Sequence, residues 1–262
     1  TMGIDMSKGI DISKMKEKLA SLNNRGGDNK NNFWRPQDGD TTIRIVPTDD
    51  GDPFKEYWFH YNVGNHGGFL CSKKNVGEDC SVCSFVKSLY NEGDAESIKM
   101  AKSLNARQRF FSPVVVRGQE EKGVQVWGFG RNAYSELLNL VLNPDYDQLV
   151  HEEEGTDIVI TYGKAPGAQF PQTNITPRRR SSSLGETKKA TKEFLSNIPV
   201  FDDLFEVKSA TEVQGMLDEF LLGEEDAEET SKESTRYGAT TGATTTTTTE
   251  ASSVDQAFEE LL

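Results

Sequence analysis

Residues 60 to 83 read HYNVGNHGGFLCSKKNVGEDCSVC, a stretch holding all three cysteines of the chain and two of its three histidines. An odd number of cysteines in so short a window argues against a disulfide framework and for metal ligation. Cys80 and Cys83 form a CxxC whose thiolates converge on one ion from a turn entering a helix, and Cys71 adds a third thiolate at the end of a predicted strand. A histidine completes a Cys3His set, which suits one tetrahedral, structural zinc. Two histidines compete for the fourth place. His66 lies in the loop Asn65-His66-Gly67-Gly68, whereas His60 lies in the aromatic run Tyr57 to Tyr61, where a strand backbone holds an imidazole rigidly. His60 is favoured.

A catalytic zinc needs an open coordination position and a general base. The zinc deaminases carry H-x-E ahead of P-C-x-x-C. Here the corresponding residues are His60-Tyr61-Asn62, and Asp79 precedes Cys80, so the glutamate is missing. The chain also lacks a P-loop, a GxSxG and an HExxH, and Gly128 and Gly130 lack the third glycine of a dinucleotide fingerprint. The sequence is read as non-enzymatic.

The net charge of -13 is unevenly spread. Residues 201 to 262 carry sixteen carboxylates against Lys208, Lys232 and Arg236, while residues 1 to 200 balance at 26 of each sign. The acidity therefore belongs to the last quarter, and the body must be judged alone. With no apolar run near membrane-spanning length and no secretory h-region, a soluble intracellular protein is expected.

Along the chain, Ile12, Met15, Leu19 and Leu22 have helical spacing, and RGGDNKNN reads as a linker. Strands are predicted at TTIRIV (41–46), EYWFHYNV (56–63), GGFLC, TDIVITYG and QFPQTNIT. Helices are predicted at SVCSFVKSLY, AESIKMAKSLNA, RNAYSELLNLVL, ATKEFLSNI and TEVQGMLDEFLL. Residues 109 to 130 form a predicted hairpin around the turn Gly118 to Gly123. The fold expected is mainly β with helical insertions, a small modified barrel. The segment after Gly223 lacks the apolar content to order itself, yet ends in Val254, Phe258, Leu261 and Leu262 among acids, which suits an interaction tip on a tether.

The hairpin mixes arginines with aromatics: Arg107, Arg109, Phe110 and Phe111 open it, and Trp127, Phe129, Arg131 and Tyr134 close it, with Arg44 on an earlier strand. Such interleaving suits a single-strand nucleic-acid platform, in which bases stack on rings and guanidinium groups take phosphates. Alternation places Trp127 and Phe129 on one face, so some of these rings belong to the core. Arg178-Arg179-Arg180-Ser181-Ser182-Ser183 is a second basic feature, readable as a solvated loop, a phosphorylation site or a phosphate contact.

In the order of these pieces the chain resembles the single-stranded DNA-binding, helix-destabilising proteins of T-even-type bacteriophages. The resemblance rests most on Ile43-Arg44-Ile45-Val46-Pro47, the His/Cys cluster and Val126-Trp127-Gly128-Phe129-Gly130-Arg131. It implies an OB-like β-barrel with an inserted zinc subdomain and a disordered acidic C-terminal tail. The divisions are an N-terminal arm (1–32), a DNA-binding core (33–200) with the zinc subdomain at about 56–90, a short helical segment (201–222) and the tail (223–262). Carried over, the zinc ligands fall on His60, Cys71, Cys80 and Cys83. The DNA-contacting positions fall on Arg44, Arg107, Arg109, Phe110, Phe111, Trp127, Arg131 and Tyr134. The resemblance further implies head-to-tail self-association through the arm and tail contacts with phage replication and recombination proteins in the cytoplasm of an infected bacterium. Two departures stand out: the linkers between zinc ligands are shorter than in the best-known member, and the arm's lysines (Lys8, Lys14, Lys16, Lys18) are dispersed where that family has a compact basic-Ser/Thr motif. The competing reading is a zinc-stabilised interaction scaffold acting through its acidic tail.

Overall fold

Alternation of β-branched and aromatic residues produces strands wherever the sequence predicts them. The computed structural model describes residues 33–234 except 147, with side chains described to residue 223. The N-terminal arm and the acidic segment beyond 234, with the self-association and tail contacts assigned to them, lie outside the described residues.

Eight strands form one mixed sheet: β1 (Phe33–Trp34), β2 (Gly39–Ile45), β3 (Lys55–His60), β4 (Phe69–Leu70), β5 (Arg107–Val116), β6 (Gln125–Phe129), β7 (Gly155–Gly163) and β8 (Gln172–Ser182). Their order is β1-β6-β5-β2-β7-β8, with β3 on the other half of β5 and β4 on β3. Every pairing is antiparallel except β1 with β6. The architecture is thus mainly sheet with helices. β5, ten residues long, is the hub: its first half pairs with β3 and its second with β2, while β6 returns along it through the Gly118–Gly123 turn.

The helices are α1 (Ser72–Asn75), α2 (Ser81–Glu92), α3 (Ala95–Leu104), α4 (Arg131–Val141), α5 (Lys188–Ser196) and α6 (Ala210–Ser234). Gly93 ends α2 in the left-handed region (φ 77°), which glycine adopts without steric cost. Asp94 starts α3 by accepting from the backbone N–H groups of Glu96 and Ser97. The short helical segment expected at 201–222 runs further, since α6 continues through a Glu-rich stretch to Ser234, a residue type that favours helix.

Among the described residues the two largest of four buried apolar clusters are the main cores. One lies under the sheet around Ile43, Ile45, Phe110, Trp127, Phe129, Leu137, Ile158 and Ile160. The other lies under the cysteine segment, where Phe69, Val82, Val86, Leu89, Ala101 and Leu104 meet Val213, Met216 and Leu217 of α6. The subdomain expected at about 56–90 therefore draws in α3 and a helix more than a hundred residues downstream. A third cluster contains Phe59, Phe111 and Phe205.

Candidate metal centre and nucleic-acid groove

The four residues singled out as metal ligands come together. The ligand atoms of His60, Cys71, Cys80 and Cys83 all lie within 4.8 Å of one another, three of the residues buried and Cys83 half-buried. Cys71 Sγ is 3.4 Å from Cys83 Sγ, and His60 Nε2 is 3.4 Å from both Cys80 Sγ and Cys83 Sγ. A tetrahedron built on Zn–S bonds of about 2.3 Å has edges of about 3.5–3.8 Å, so the donors stand where a single zinc needs them.

Each donor is placed by an element. His60 ends β3, Cys71 follows β4 and begins α1, and Cys80 and Cys83 occupy the N-cap and first turn of α2. His60 Nδ1 donates to the Leu104 carbonyl at 2.9 Å, which leaves Nε2 facing the sulfurs. Orienting a ligand imidazole through its far nitrogen is the usual outer support of a metal site. Asn75 ties the loop down by donating to the carbonyls of Trp58 and Cys71 and accepting from the Trp58 N–H.

The four groups are also coupled electrostatically. Burial opposes charge on His60, but hydrogen bonds with Cys71 and Cys80 and with the Leu104 carbonyl push its pKa up to about 9. Hydrogen bonds with Cys71 and Cys83 drive the Cys80 thiol far down, while those with Cys71 and Cys80 drive Cys83 far up. Three sulfurs this close cannot all ionise among themselves; a divalent cation is the partner that lets them.

The residues assigned to DNA contact divide. A groove of about 460 Å³ is lined by Arg109 and Trp127 of the hairpin, Arg131 of α4, and Tyr162, Phe170 and Gln172 from the β7–β8 hairpin. Arg131 is exposed and Arg109 half-buried. Gly130 makes room for Arg109: a Cβ there would sit 3.3 Å from its guanidinium. Gly128 likewise accommodates the Phe111 ring. The glycines of WGFGR thus permit close approach, consistent with the absence of a phosphate-binding fingerprint.

The other assigned residues lie elsewhere. Arg44 is fully buried and does not line the groove. Its guanidinium donates to Asp157 Oδ1 (3.1 Å), Ser182 Oγ (3.1 Å) and the carbonyls of His151 (2.8 Å) and Ser182 (2.7 Å). Gly155 is required beside it, since a Cβ there would collide with the guanidinium. Burial lowers the Arg44 pKa, with Asp157 pulling it back. Phe110 and Phe111 are also buried, Phe110 stacked on Tyr134 with ring centroids 3.8 Å apart. No base can stack on rings already enclosed by the core. Trp127, 1% exposed, is floor of the groove and not a platform. Arg107 is exposed and Tyr134 half-buried, but neither lines the groove.

Sequence reasoning missed Phe170. Its ring is 54% exposed at the groove, in the turn Lys164-Ala-Pro-Gly-Ala-Gln-Phe-Pro171. The predicted strand QFPQTNIT took in Phe170, but β8 starts only at Gln172 and leaves the ring in a glycine- and proline-rich turn, where a large aromatic has no core of its own to join.

A β-sheet body with a groove bordered by arginines, joined to a subdomain whose donor set could hold one zinc, describes a nucleic-acid-binding protein. Residues 37–197 match the family described as gp32 DNA binding protein like, and the chain belongs to that family, the T4-type single-stranded DNA-binding proteins. The matched region contains the whole His/Cys cluster and all the groove residues named here. Compared with curated proteins one by one, the chain finds no significant match.

Proposed function

We propose that this protein coats single-stranded DNA, cooperatively and without sequence preference, during phage DNA replication, recombination and repair in the cytoplasm of an infected bacterium. The reading is non-enzymatic and OB-like in its mode of binding. Its main support is the groove inside the gp32-like region, where two arginines border an exposed phenylalanine. Arg109 and Arg131 take phosphates there, and Phe170 offers a face to any base, because stacking does not read sequence. Arg107 and Tyr134 lie outside the groove.

One structural zinc is held by His60, Cys71, Cys80 and Cys83. When bound it supplies a cross-link between β3, the β4–α1 junction and the start of α2. The enclosed donor set leaves no open position of the kind a catalytic zinc uses. On duplex DNA the protein acts by mass action: a ligand of the open strands alone shifts melting toward them. Head-to-tail contacts through residues 1–32 supply cooperativity, and the acidic segment after 223 recruits replication and recombination proteins.

Titration with oligo-dT, followed by tryptophan fluorescence at two salt concentrations with duplex as control, tests the reading. The single strand should bind and weaken steeply with salt, because phosphate neutralisation releases counterions. Equal response to duplex, or none to oligo-dT even after removal of residues 224–262, would sink it.

A further inference from the structure

Arg178, Arg179 and Arg180 have no part in the groove. They stand on β8, the strand that ends the sheet order. β8 begins at the groove, which Gln172, Thr173 and Asn174 line, and runs along the sheet edge to Ser182. Over its first six residues exposed and half-buried side chains alternate, as in any half-covered strand. The alternation then stops. Pro177 pairs with Ile158 and Ser181 with Thr156, so three arginines face the single residue Asp157 across a bulge. All three are exposed.

A buried network holds that bulge. Asp157 accepts from Arg44 at 3.1 Å and from Arg117 at 2.8 Å. The same two guanidinium groups donate to the carbonyls of Ser182, Ser183 and Leu184, the residues at and just beyond the end of the strand. Two cations thus share one carboxylate, and Asp157 is occupied from below. Arg178 donates to Thr42 Oγ1 at 2.9 Å, and among the described residues no carboxylate pairs with Arg179 or Arg180. From 172 to 192 there are six basic residues against Glu186 alone, although residues 1 to 200 as a whole balance. Lys188 has Glu153 at 3.9 Å; the arginines have no such answer.

Charges on an edge strand guard against pairing with other chains, but Pro177 or one arginine would serve that end without a bulge. Bulges re-aim side chains, and this one turns three guanidinium groups to solvent. The groove has the volume of a small-molecule pocket, whereas single-strand-binding folds of this kind engage about 4–16 nucleotides. A bound strand must therefore continue past it. At about 3.3 Å per residue, Arg178 to Arg180 lie about 13–20 Å from Asn174 along β8.

We propose that Arg178, Arg179 and Arg180 form a second phosphate-binding site for single-stranded DNA that leaves the groove along β8. The proposal rests on the single-strand reading above. Its test compares the full chain with a triple variant, Arg178→Ala, Arg179→Ala and Arg180→Ala, on oligo-dT of about 4 and about 16 nucleotides over a salt series. Three phosphate contacts at about 0.7 each predict a log–log salt slope shallower by about 2 on the longer strand, with at least a tenfold loss of affinity at low salt. Binding of the short strand and thermal stability should be unchanged. The matching Arg→Lys triple variant should keep most of the slope, since lysine still neutralises phosphate. An unaltered slope and affinity on the longer strand would overturn the proposal. So would a gain in affinity, which would mean that the arginines hold a competing anionic segment. Failure of the unmodified protein to bind either strand would instead overturn the groove reading itself.

Discussion

The cysteine segment and the arginine–aromatic hairpin were both conspicuous in sequence, and they fared differently in space. All four ligand candidates at 60–83 converge on one point. Of eight candidates for DNA contact, only Arg109, Trp127 and Arg131 reach the groove, and Trp127 arrives as its floor. The difference lies in how many fates a residue type has. Three cysteines and a histidine at this spacing have few uses in a chain without disulfide logic, and ligation demands that they meet. An arginine or a phenylalanine on a strand has two faces to choose from, and each face offers it a satisfactory end.

Metal removal is the strongest way to break the comparison. Zinc binding in small folding units is worth about 10–16 kcal/mol, comparable to the whole stability of a typical domain at about 5–15 kcal/mol. Chelation, or Cys80→Ser, should strip amide protection from α2 and α3 while β2 and β5 keep theirs, as read by hydrogen exchange. Uniform loss across both regions would show that the two cores fold as one unit and that the division drawn between them is wrong.

The second effect separates arginines of opposite fate. Arg44 is fully buried on a carboxylate and two carbonyls; removing one partner of a buried pair costs about 3–5 kcal/mol. For a protein of this size that is a fall of about 10 °C in Tm. Arg44→Ala should show that fall yet retain single-strand affinity in the molecules still folded. Arg131→Ala should do the reverse. If Arg44→Ala weakened binding at unchanged Tm, its burial would not describe the working protein.

These two arginines also show what the sequence could and could not carry. Most strand positions, the hairpin turn and the metal set follow from local pattern; β1 and the arginine half of β8 do not, since Arg178 to Ser183 reads locally as a basic loop. Arg44 reads as a polar residue between two isoleucines, so alternation sends it to the face opposite Ile43 and Ile45. Whether that face is solvent depends on Asp157, His151 and Ser182, more than a hundred residues away. No local pattern contains that information. Helix α6 makes the same point: its amphipathic spacing was visible, but its seat against α2 was not. Phe170 is the converse case, legible once a turn aromatic is asked what it packs against.

A third test sharpens the groove. Base–aromatic stacking is worth about 1–3 kcal/mol per base, so Phe170→Ala should weaken oligo-dT binding by about 5- to 150-fold. Because the ring is exposed, Tm should move by no more than about 0.5 kcal/mol would produce. A Tm loss as large as that of a core variant would reassign Phe170 to packing.

The smallest effect concerns the two histidines of the cysteine segment, which spacing alone left in competition. His66 is not in the cluster; its Nε2 lies 3.1 Å from Glu219 Oε2 on α6, with the carboxylate largely exposed. Such a pair is worth about 0–1 kcal/mol at a surface, and its role is to pin the 64–68 loop to α6. His66→Ala should therefore leave metal content at one ion per chain and shift Tm by at most a few degrees. His60→Ala should lose the ion, because three thiolates without the imidazole no longer close a tetrahedron. Glu219→Gln should match His66→Ala, since both remove the same pairing. Were His66→Ala instead to release metal, the ligand would be the loop histidine, and the Leu104 carbonyl would be holding His60 for packing alone.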